Sequence, residues 1–178
     1  MHKYLLPLAV AAVAFAGSAA LAKDDQDADS QATWDLTELY PSVEAWNKAR
    51  EEVTVDFEEI DSRRGTLGES AESLYATYRL VSDALKKAGR VSVYASLNRD
   101  EDLRDSETQE RAQLAQIMFS RFGEVTAWIQ PEIIEVGREV IESYINEDER
   151  LAPFAFQLDD SLRNAPHTLS AETEQTLS

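Results

Sequence analysis

No cysteine occurs anywhere in this chain, which excludes a disulfide framework and any thiolate metal site. Histidine is almost as scarce: His2 and His167 are the only two. A zinc site of the H-E-x-x-H type takes two histidines one helical turn apart, a third ligand and a glutamate beside the metal-bound water. No H-E-x-x-H supplies that set here. Serine or cysteine protease chemistry has no better support, because one histidine among many serines defines no triad. There is no glycine-rich phosphate loop. Positive charge is short as well, with 17 Lys and Arg against 34 Asp and Glu and a formal net charge of −17. A surface that negative repels nucleic acid and anionic lipid, so neither is expected as a partner.

A run long enough to cross a bilayer is also missing. Leu5 to Ala16 is apolar, but a span needs roughly 20 such residues. Met1-His2-Lys3-Tyr4 precedes it, and Ala20-Leu21-Ala22 follows as an A-x-A-type cleavage site. Residues 1–22 therefore read as an export signal rather than an anchor, with the mature chain starting at Lys23. The expected location is periplasmic or secreted, without membrane contact once the signal is cleaved. Residues 23–33 (KDDQDADSQAT) are polar, acidic and without periodicity, as in a flexible arm.

What remains is helical in pattern, and the predicted fold is all-α, built of antiparallel helical hairpins in a bundle over residues 34–164. Ser42 is placed to cap a first helix over about Val43–Arg64, with Trp46, Ala49, Val53, Phe57 and Ile60 on one face. Ser70 caps a second, extending to about Leu97. Its seam is Leu74, Tyr78, Val81, Leu85, Ala88 and Ala95, and Gly89 marks a bend or a close packing contact. Asn98–Asp105 reads as a charged connection. Its D-x-D does not make a calcium loop, since the sixth and twelfth positions from Asp100 are Asp105 and Arg111 rather than glycine and glutamate. Ser106 and Gln109 form a capping box for a third helix with Ala115, Met118, Phe122, Val125 and Ile129, ending near Gln130. From Pro131 a fourth helix carries Ile134, Gly137, Ile141 and Tyr144 on one face and ends near Asn146. A shorter one covers Leu151–Leu162. No segment reads as a confident strand.

Three stretches point to a family. The first is Trp34-Asp35-Leu36-Thr37-Glu38-Leu39-Tyr40-Pro41-Ser42, with Trp46 just beyond. The second is Tyr94-Ala95-Ser96-Leu97 followed by Asp102, and the third Arg163-Asn164-Ala165-Pro166-His167-Thr168-Leu169-Ser170. In this order they resemble the N-terminal region of oligoendopeptidase F, of the thimet-like zinc metallopeptidases that cleave short peptides. The resemblance implies a helical region packed on a catalytic domain, with that domain and short peptides as partners and zinc as the cofactor of the intact enzyme. No cofactor is expected in this chain itself, and no catalytic or metal-ligating residue. Residues 165–178 would begin the segment leading to the absent catalytic domain. Ser170 caps a helix there that has only about two turns before Ser178, too short to be stable alone.

For the motif residues Trp34, Asp35, Leu36, Tyr40, Pro41, Trp46, Pro166, His167 and Leu169 a structural role is expected. The aromatics would staple the entry to the first helix rather than form a binding platform. His167 would make a local hydrogen bond or packing contact at a helix entry. The competing reading is a stand-alone periplasmic helical binding or interaction protein.

Overall fold

The computed structural model describes residues 34–164. The expected signal 1–22, the arm 23–33, and Pro166, His167, Leu169 and the helix start at Ser170 lie outside the described residues.

Ser42 opens helix α1 (Val43–Ser62), its hydroxyl accepting the Ala45 N–H at 3.2 Å. Arg63 follows the last turn and Gly65 takes a left-handed φ of 85°, which turns the chain toward the next helix. Ser70 caps α2 (Ala71–Glu101) by accepting the Ser73 N–H. At 31 residues α2 is roughly 46 Å long, and both α1 and α3 (Ser106–Thr126) pack against it and against each other. Short connections make these three helices an antiparallel bundle. Two short helices, α4 (Ile129–Val136) and α5 (Arg138–Glu147), a 3-10 segment (Glu149–Phe154) and α6 (Ala155–Arg163) complete the fold. They pack on one another and reach α2 through α5 and the 3-10 segment. All described regular elements are helical, as the pattern predicts.

One apolar core runs through both groups. Trp46, Val53, Phe57 and Ile60 enter it from α1, and Leu74, Ala84, Ala88, Val91 and Ala95 from α2. Ala115, Met118 and Val125 come from α3, while Ile133, Ile141, Leu151 and Leu158 extend it into the short helices. Its buried hydroxyls are satisfied locally. Thr77 donates to the Ser73 carbonyl and Thr108 to that of Asp105, so burial leaves no donor orphaned there.

Several boundaries differ from expectation. Helix α2 continues through Asn98–Glu101, four residues past Leu97, and breaks only at Asp102, whose backbone is extended. Asp105 caps α3, accepting the Glu107 N–H, and Ser106 is instead the first helical residue. Gln109 donates to the Leu103 carbonyl rather than closing a capping box. The third helix ends at Thr126, before Pro131, which falls in the first turn of α4 where its missing N–H costs nothing. The expected fourth helix is two. Gly137 has φ 86° and ψ 158°, a conformation incompatible with a helix, and separates α4 from α5. Ile133 takes the fully buried place in α4, with Ile134 only half-buried. In α2, Ala84 is buried and Leu85 is 44% exposed. At Gly89 a Cβ would meet nothing within 4 Å, so no neighbour packs closely there. Leu151–Phe154 is 3-10 rather than α-helical.

Candidate functional site

The aromatic entry block is assembled from both ends of the first hairpin. Asp35 accepts the Thr37 N–H and hydroxyl, closing the 3-10 turn Leu36–Glu38. These two bonds hold the Asp35 carboxyl below its usual range. Leu36, Leu39 and Tyr40 pack on the core from the outside. Tyr40 meets Tyr94 edge to face at 5.5 Å, and Trp46 stacks beside Tyr94 at 6.4 Å. Arg90 ties the turn down, donating to the Leu39 carbonyl at 3.1 Å with its guanidinium over the Tyr40 ring. Burial raises the Tyr40 pKa, against the opposing charge of Arg90. Trp46 is wholly buried, whereas Trp34 stays 59% exposed and is anchored through its backbone N–H to Glu101. Pro41 is exposed at the turn. The structure thus brings Tyr40 and Trp46 together through Tyr94 and leaves the Trp34 ring largely in solvent.

A groove of about 630 Å³ lies between α1 and α2. Asp56, Glu59 and Arg63 line one wall, and Arg79, Asp83 and Lys87 the other. Each charge is engaged: Lys87 with Asp56 at 2.8 Å, Arg79 with Asp83 at 2.7 Å, and Arg63 with Glu59 at 2.9 Å. The hydrogen bond to Asp56 raises the Lys87 pKa. A general acid or base needs a pKa near the working pH. In the same groove the Asp83 carboxyl, partly desolvated but hydrogen-bonded by Arg79 and Lys86, moves the other way, downward. The charges named in this groove are thus paired with one another.

Two further contacts carry much of the tertiary geometry and have no sequence signature. Glu132 of α4 accepts the backbone N–H groups of Gly65 and Leu67 at 2.8 and 2.7 Å. It thereby fastens the α1–α2 loop to the short helices. Arg150 pairs with Asp148 and with Glu72 of α2 and lies 4.4 Å over the Tyr75 ring. No group of three or more His, Cys, Asp and Glu able to hold a metal occurs among the described residues. They include no histidine or cysteine, so this donor set does not fit a zinc ion, which prefers nitrogen and sulfur ligands.

Comparison with known proteins gives a consistent answer. The sequence profile of the family described as Oligopeptidase F matches residues 132–178. Oligopeptidase PepF of Bacillus subtilis is 27% identical over 86% of this chain, and the plasmid-borne oligoendopeptidase F of Lactococcus lactis is 28% identical over 88%. The matches cover 23% and 26% of those proteins, so the chain spans about a quarter of their length. Among solved structures, oligoendopeptidase-F from Enterococcus faecium superposes with a TM-score of 0.64 at 25% identity. That likeness covers 76% of this chain and 27% of the other. A putative peptidase from Chlamydophila abortus shares the fold at TM-score 0.65 and 24% identity, over 83% of this chain and 25% of that one. By sequence and by fold the chain is similar to the N-terminal region of oligoendopeptidase F, and the family profile agrees over residues 132–178.

Proposed function

We propose that this chain is the N-terminal, non-catalytic part of an exported zinc metalloendopeptidase of the oligoendopeptidase F type, which hydrolyses short peptides. The observation that carries the reading is the shared helical fold and sequence over most of this chain, set against a quarter of the relatives' length. The names of those relatives are peptidase names. The zinc and its catalytic glutamate then belong to a catalytic domain following residue 178, and that domain is the principal partner. Within the present chain, residues 1–22 serve as the signal, 23–33 as an acidic arm and 34–164 as the helical domain, with 165–178 leading onward. The Trp34–Trp46 block and Pro166, His167 and Leu169 act by packing and local hydrogen bonding.

The test is expression of the complete reading frame containing this chain, and of the 178-residue chain alone. Both are assayed with a quenched fluorescent peptide and by metal analysis after dialysis. The complete protein is expected to retain one zinc and cleave in a chelator-sensitive way, and the short chain to do neither. N-terminal sequencing of exported material should begin at Lys23. A reading frame ending at Ser178 that yields a monodisperse protein with a sharp melt would support a stand-alone binding protein instead.

A further inference from the structure

We propose that the groove between the C-terminal half of α2 and the adjoining side of α3 seats an α-helix of the polypeptide that follows this chain in the complete enzyme. The inference rests on the reading above. It begins from one stripe of α2 that has two fates. In the N-terminal half Leu74 and Tyr78 are buried, with the Tyr78 ring 5.5 Å from Phe154 of the 3-10 segment. That segment and α5 cover α2 there. Seven-residue steps keep a helical position near the same side, so Tyr78 leads on to Leu85 and then Ser92. Along that continuation Leu85 is 44% exposed, Ser92 half-buried and Ser96 exposed. The first half of the seam is covered and the second half is open to solvent at Leu85 and Ser96.

Two adjoining cavities mark the bare half, of about 280 and 420 Å³, sharing Arg99, Ala112 and Gln116 as lining. They form one groove, bordered along α3 from Gln109 to Phe119, which is roughly 15 Å or three helical turns. Its floor is small: Ser92, Ser96, Ala112 and Ala115. Small side chains let another helix approach to the 8–10 Å axis separation of packed helices. Arg99 is the one charged residue in the lining, and it is bonded to Asp100. In a chain of net charge −17, a lining without carboxylates differs from an ordinary solvated helix surface. The outer face of α1, with Glu51 and Glu58, shows what such a surface looks like here.

The position of the chain's exit selects the occupant. The described structure ends at Asn164, just past α6, and α6 packs on the same 3-10 segment and α5 that cover the first half of the stripe. Polypeptide continuing from there starts beside the packed half, and the relatives are about four times as long as this chain. A helix from that continuation extends an interface that the short helices have already begun.

The absence of cysteine makes the test direct. Ser96→Cys places a sole thiol in the groove of the 178-residue chain, and Ile117→Cys, at a position 56% exposed on the opposite side of α3, places one outside it; in the complete protein, modification at each introduced thiol is followed by peptide mapping. Maleimide labelling rates are measured for each variant in the 178-residue chain and in the complete protein. The groove thiol of Ser96→Cys is expected to react about tenfold or more slowly in the complete protein, where access requires local opening. The outer thiol of Ile117→Cys should react equally fast in both. Adding Ala112→Glu to the complete Ser96→Cys protein should restore fast labelling. Equal rates for the groove thiol in the two proteins would overturn the proposal. So would protection already present in the short chain and lost on dilution, since a second copy would then fill the groove. If the complete protein cleaves peptide while the groove thiol reacts at the same rate in both, this inference fails and the functional reading stands. A reading frame that stops at Ser178 removes both.

Discussion

The indole N–H of Trp46 donates to the backbone carbonyl of Val91, 2.9 Å away, across the α1–α2 interface. Both residues are fully buried, and the Trp46 ring also stacks beside Tyr94. The bond fixes the register of the two helices from the motif end of the chain, because Trp46 sits one turn inside α1. Trp46→Phe keeps an aromatic ring and loses the donor, with an expected cost of about 1–2 kcal/mol from a buried hydrogen bond and lost volume. Trp46→Ala should cost about 3–5 kcal/mol. Urea denaturation midpoints check the order. Identical midpoints for the phenylalanine variant and the parent chain would show that the bond contributes nothing.

Two glycines should respond to alanine with opposite signs. Gly137 has φ 86°, a region that L side chains rarely adopt, so Gly137→Ala is expected to destabilise the junction of α4 and α5 by about 1–2 kcal/mol. Gly89 lies inside α2, and a Cβ built there meets nothing within 4 Å. Gly89→Ala should therefore stabilise by up to about 1 kcal/mol, through helix propensity and a less flexible unfolded chain. Thermal melts of the two variants should bracket that of the parent. A stabilising Gly137→Ala would mean that the break between α4 and α5 does not exist in solution.

Glu132 makes a third case, where one side chain holds a loop. Its two oxygens accept the Gly65 and Leu67 N–H groups. Glu132→Gln retains one acceptor oxygen and should cost about 1 kcal/mol, while Glu132→Ala removes both and should cost about 2–3 kcal/mol. Hydrogen exchange localises the effect: the Leu67 amide should lose protection in the alanine variant before amides in the middle of α2 do. Unchanged protection at Leu67 would contradict the contact.

The sequence makes α1 legible almost to the residue because a cap, Ser42, and a four-residue apolar register, from Trp46 through Phe57, agree with each other. The α4–α5 break is hidden for the converse reason. Ile134, Ile141 and Tyr144 keep helical spacing across Gly137, and periodicity registers spacing rather than the sign of φ. Leu85 reads as seam from its spacing, but burial requires a covering element, and none of the described ones reaches it. The Glu132 and Arg150 contacts join residues far apart in the chain, and no local pattern encodes such pairs. Among the motif residues, Tyr40 and Trp46 both contact the Tyr94 ring, a long-range contact that their own spacing does not encode. The exposure of Trp34 depends on what packs over it, which its own neighbourhood does not specify.

The last expectation concerns alkaline pH and Tyr78. Its side chain is 4% exposed, and burial pushes the phenol up to about 12 from an ordinary value of 10.0, with a hydrogen bond to Ser161 opposing. Desolvation penalises the phenolate, so the folded chain holds the proton more tightly than the unfolded chain does. The associated stability is fully present below pH 10.0 and is lost as pH rises toward 12. A shift of that size corresponds to roughly 2–3 kcal/mol at most. Tyr78→Phe removes the ionisable group while keeping a ring against Phe154. The variant should therefore lose less stability than the parent between about pH 9 and 11.5, measured as the difference in urea midpoints at each pH. Lysine deprotonation affects both proteins alike and cancels in that difference. Parallel pH profiles for the two would show that Tyr78 ionises without unfolding the chain, and that its hydroxyl reaches water despite the surrounding core.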